Sequence, residues 1–165
     1  MASVSLNNNE TWSFAIWKSL DNNDDGLNAL HLAANQGQEE SVRALVEAGD
    51  HMVNEPTSLG RTALCFASFG GFQGIVVFLC RSNANVSLHC TNGWTCLMSA
   101  ALQGHLDVAE ELVANKIDVN AKTTSGLTAL MIASENGHIQ LLKYLLSKNA
   151  DINAKTVGAS GLPYR

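Results

Sequence analysis

The chain has 165 residues, 46% apolar and 15% charged. That is ample material for a core, but no run approaches the roughly 18 apolar residues of a membrane span. The net charge of −5 comes without any basic stripe, which argues against nucleic acid and anionic lipid surfaces as partners, because both demand clustered Lys and Arg.

The acids crowd the start. Residues 1–57 carry nine acids against Lys18 and Arg43, whereas residues 58–104 hold only Arg61 and Arg81. The opening MASVSLNNNETW has neither a basic nor an apolar signal region. Cys65, Cys90, Cys96 and Cys80 are therefore expected as reduced thiols in the cytoplasm or nucleus. Within residues 1–23, the stretch ETWSFAIWKSL at 10–20 puts Trp12, Ile16 and Leu20 on one helical face. It reads as a cap helix for whatever follows. DNNDDG, Asp21 to Gly26, imitates the opening of a calcium loop. Its twelfth position is Leu32 rather than a bidentate Glu, so a polar linker is the better reading.

From residue 24 the chain repeats itself. Gly26, Gly60, Gly93 and Gly126 each open a copy, at steps of 34, 33 and 33, and a second glycine follows eleven residues later at 37, 71, 104 and 137. Between them stand Leu30, Leu64, Leu97 and Leu130, then Ala33, Ala67, Ala100 and Ala133; Leu45, Leu79, Leu112 and Leu145 close the pattern. Thr62, Thr95 and Thr128, with Asn28 in the first copy, suit helix N-caps. The second glycines suit left-handed helix ends. A second helix follows in each copy, as in Leu141, Leu142, Leu145 and Leu146. Gly49, Asn83 and Asn149 suit its left-handed end, whereas Lys116 departs from the pattern. IDVNAK and ADINAK then read as extended fingers, with one extra residue in the first finger around His51–Val53. The units are 24–57, 58–90, 91–123 and 124–156. Residues 157–165 are either a tail or a truncated fifth unit.

This period, with T-A-L-x-x-A at its heart, resembles the ankyrin-repeat family. The resemblance implies an all-α repeat solenoid, an array of helix-turn-helix units with β-hairpin-like fingers. It implies no enzyme activity and no cofactor. It implies instead a protein partner held along the concave face and finger tips, by a monomer or by a weak dimer formed through the last repeat. An alternative is a regulatory or targeting segment of a larger enzyme, channel or scaffold. Carried over by position, the partner-binding residues are Leu59, Arg61, Phe69, Trp94, Leu102, Gln103, Leu127 and Glu135. Trp94, Phe69, Arg61 and Leu102 are expected to face outward and to carry most of the binding energy. The family's asparagine hydroxylation, with Leu eight residues upstream, fits Asn120 and Asn153.

No nucleophile elbow, phosphate loop or zincin motif occurs. His89, Cys90 and Cys96 lack the paired spacing of a zinc site; Cys96 takes the slot of Ala in the other copies and reads as core. His31, His105 and His138 are expected to cap helices and to bond across repeats. Met98 and Met131 read as packing, and Asp107, Glu110 and Glu111 as a solvated face.

Overall fold

The computed structural model describes residues 26–49 and 52–157. The expected cap helix and the chain beyond 157 lie outside the described residues. Four helix pairs follow one another. They are α1 (Ala29–Asn35) with α2 (Glu39–Ala48), α3 (Ala63–Gly70) with α4 (Gln73–Arg81), α5 (Cys96–Gln103) with α6 (Leu106–Ala114), and α7 (Ala129–Glu135) with α8 (Ile139–Ser147). Among the described residues no helix is long and apolar enough to cross a membrane.

The caps form largely as the residue types demand. The side chains of Asn28, Thr95 and Thr128 accept the backbone N–H of His31, Met98 and Met131. Thr62 holds the N-cap backbone conformation, but its hydroxyl is buried without a hydrogen bond. At the outer-helix ends, Asn83, Lys116 and Asn149 all have φ between 61° and 66°. Lys116 thus accepts a strained conformation that suited its neighbours better. Gly49 does not take it: its φ is −170°, ordinary extended backbone.

The odd helices form one layer and the even helices the other. Odd helices are short, seven or eight residues, and lined with small side chains (Ala33, Ala34, Ala67, Ala100, Ala101, Ala133), all buried. Small residues let these helices approach each other more closely than the even helices do. A stack spaced more tightly in one layer curves toward that layer, which makes the odd-helix side concave. Leu30, Leu64, Leu97, Leu79, Leu112 and Leu145 fill the interior between layers.

The fingers are tight turns rather than true hairpin strands. Thr57, Cys90 and Thr123 each donate to the carbonyl four residues on, at 2.8, 2.9 and 3.0 Å. One antiparallel bridge, His89 with Thr95, stands alone among the described residues. Successive fingers join through the main chain: Thr91 N–H donates to Leu59 C=O, Thr124 to Asn92 and Val157 to Ser125, at 2.8–2.9 Å. The opening glycines allow this approach. A Cβ on Gly93 would sit 2.9 Å from the Lys122 carbonyl, closer than side chains tolerate.

Candidate partner-binding surface

The eight residues picked from the sequence divide into two groups. Gln103 and Glu135 are exposed, and Leu59, Phe69 and Leu127 are half-buried. Arg61, Trp94 and Leu102 are buried, the first two completely. The expectation that these three face outward is therefore corrected.

Trp94 shows the physical reason. Ser99 occupies the slot held by Leu32, Phe66 and Ile132 in the other copies. A small residue there leaves room, and the Trp94 indole is packed against it, its Nε1–H donating to Ser99 Oγ at 3.0 Å. A buried indole N–H needs such a partner. The lone serine in an otherwise large apolar slot was the signal that sequence reasoning passed over. Arg61 lies with its guanidinium 5.6 Å from the centre of the Phe66 ring, within range of a cation–π contact. Phe66 in turn meets the His31 ring at 5.8 Å. The Leu102 side chain joins the core, and its carbonyl accepts from His138.

The histidines do what their positions imply. His105 Nε2–H donates to Phe69 C=O and His138 Nε2–H to Leu102 C=O, each at 3.1 Å, so each binds its repeat to the one before. Their rings lie over Gly71 and Gly104, where any Cβ would collide. His31 closes a capping box with Asn28, and its Nε2 reaches Glu55 C=O at 2.8 Å. With the tautomers these bonds require, the rings are committed to structure.

Three thiols meet in the core. Cys65 and Cys96 Sγ atoms are 2.9 Å apart, and Cys65 also shares a side-chain hydrogen bond with Cys90. The hydrogen bond to Cys65, together with burial, holds Cys96 well above the ordinary thiol range. Cys80, half-buried and near Glu111, is pushed up to about 11 by burial and by that carboxylate. His89 is exposed, and Cys90 and Cys96 are buried. Among the described residues no group of three or more His, Cys, Asp or Glu side chains is placed to hold a metal ion.

A family model described as ankyrin repeats (3 copies) matches residues 1–89 and again 71–156. The rat protein "Ankyrin repeat and SAM domain-containing protein 6" is 40% identical over 73 residues, which is 44% of this chain and 8% of that one. The chain thus spans a small part of that relative's length. Arrays of this type are generally protein–protein interaction modules. With both glycine series, the threonine caps and the stacked helix pairs in place, the chain belongs to the ankyrin-repeat family.

Proposed function

We propose that the array binds a protein partner along its concave side, with contact made by Leu59, Phe69, Gln103, Leu127 and Glu135. The observation that carries the reading is their placement. Phe69 and Glu135 share one repeat slot, two residues before the second glycine, Gln103 lies one residue before it in the third copy, and Leu59 and Leu127 flank the opening glycines. All five keep exposed or partly exposed side chains while Leu64, Ala67, Leu97 and Ala100 are buried. Arg61, Trp94 and Leu102, being buried, are not among the contact residues. The test is capture from cells with the intact protein and a Phe69→Ala/Gln103→Arg/Glu135→Arg variant whose melting is unchanged. A partner held near stoichiometry by the first and lost by the second supports the reading. Retention by both overturns the assignment of the face.

A second reading, a targeting or regulatory segment within a longer protein, is favoured by one observation: the similar rat protein is far longer than the aligned segment. Transcript mapping that finds further domains in frame supports it. The cytoplasm or nucleus is the compartment that fits four free cysteines. Asn120 and Asn153 stay candidates for hydroxylation. Asn120 has its amide engaged by the next repeat, so oxygen addition is expected first at Asn153, by intact-mass and peptide analysis.

A further inference from the structure

Three seams join the four fingers, and two of them are clamped by an asparagine. Asn54 Nδ2 donates to Asn83 C=O at 3.0 Å, and its Oδ1 accepts from Asn85 N–H at 2.7 Å. Asn120 repeats this one pair of seams later, with Asn149 C=O at 3.1 Å and Asp151 N–H at 2.8 Å. One carboxamide thus satisfies an acceptor and a donor of the following repeat from a single planar group.

The middle seam has Ser87 at this slot. The equivalent groups ahead of it are Lys116 C=O and Asp118 N–H, and neither has a protein partner among the described residues. A serine hydroxyl is one atom on a short stem and cannot bridge both. A hollow of about 480 Å³ opens at this seam, lined by Ser87 and Asp118 together with His89, Thr91, Lys122 and Thr123.

From this vacancy we infer that the middle seam is a binding site for a side-chain carboxamide, an asparagine or glutamine of a partner polypeptide. The chemistry excludes the nearest rivals. A carboxylate has no donor for the Lys116 carbonyl and would meet the Asp118 side chain; an ammonium has no acceptor for the Asp118 N–H. A trans peptide group points its N–H and C=O in opposite directions, so it cannot serve two adjacent groups at once. The inference rests on the protein-binding reading above and adds the chemistry of one partner residue.

The test is a titration of the ¹⁵N-labelled full chain with acetyl-Gly-Asn-Gly-amide, alongside the Asp and Leu versions of the same peptide. The Asn peptide is expected to shift the Asp118 amide resonance saturably, at least about fivefold more tightly than either control. Ser87→Asn, which supplies the missing clamp from within, is expected to shift that resonance by itself, raise Tm by a few degrees and abolish the response. No saturable shift, equal shifts with all three peptides, or an undiminished response in a folded Ser87→Asn protein would each overturn the site. Partner capture through the concave face does not depend on these results, so the two readings fail separately.

Discussion

At the scale of the residue, Trp94 carries the clearest consequence. It fills the volume that Ser99 leaves and hydrogen-bonds that same serine, so its truncation opens a cavity instead of trimming a surface. Trp94→Ala is expected to cost about 3–5 kcal/mol, and Ser99→Ala about 1 kcal/mol, in denaturant melts. The double variant is expected to cost less than the sum, because both remove one interaction. The cysteines make a second prediction. Cys65, Cys90 and Cys96 are fully buried and Cys80 only partly, so thiol titration of the native protein is expected to report Cys80 alone, slowly. Because the fold raises the Cys80 pKa to about 11, it binds more protons than the unfolded chain above the ordinary thiol value. Stability is therefore complete below about pH 9 and declines as pH rises toward 11, and Cys80→Ala is expected to flatten part of that decline. The leucines, alanines and glycines of the repeat were legible because each position is stated four times. The Trp94–Ser99 exchange was not, since it is a compensation made within one copy, and comparing slots singly hides it.

At the scale of the element, the four N-caps differ in a measurable way. Thr95 and Thr128 hydroxyls each accept a backbone N–H of the following helix, at 3.3 Å. Removing either is expected to cost about 1 kcal/mol. Thr62 sits at the same repeat position, yet its buried hydroxyl has no hydrogen bond. Thr62→Val is therefore expected to be neutral or stabilising in thermal melts, since an apolar isostere relieves an unsatisfied group. Equal losses at all four caps would mean that the Thr62 hydroxyl finds a partner in solution. Helix ends were only partly readable in advance. The left-handed turn at Lys116 runs against intrinsic preference while Lys116 N–H and the following Ile117 N–H close the end of its own helix on Val113 and Leu112 C=O, and Gly49 declines a turn that its residue type permits. Residue type sets which conformations the backbone prefers; the hydrogen bonds that close each helix end decide which one it takes.

At the scale of the whole molecule, the large apolar side chains left exposed among the described residues fall toward the two ends of the array: Leu27 and Leu32 in the first repeat, Ile139, Leu146 and Ile152 in the last, and Val157 just beyond it. Interior repeats bury both faces, and terminal ones bury one. A hollow of about 240 Å³ lined by Leu130, Met131, Leu142, Leu146 and Ile152 marks the last repeat. Weak self-association through this repeat is expected in sedimentation at high protein concentration, and Leu146→Glu is expected to abolish it without loss of helicity. Hydrogen exchange is expected to be faster over 139–147 than over 96–114; equal protection in a proven monomer would show that this end is covered. The finger-to-finger bonds have a different kind of consequence. Because Thr91, Thr124 and Val157 each donate a main-chain N–H to a main-chain carbonyl of the preceding finger, these linkages specify no side chain at all. A copy can be duplicated, deleted or exchanged during evolution and still present the same splice to its neighbours, while the side chains beside it drift toward new partners.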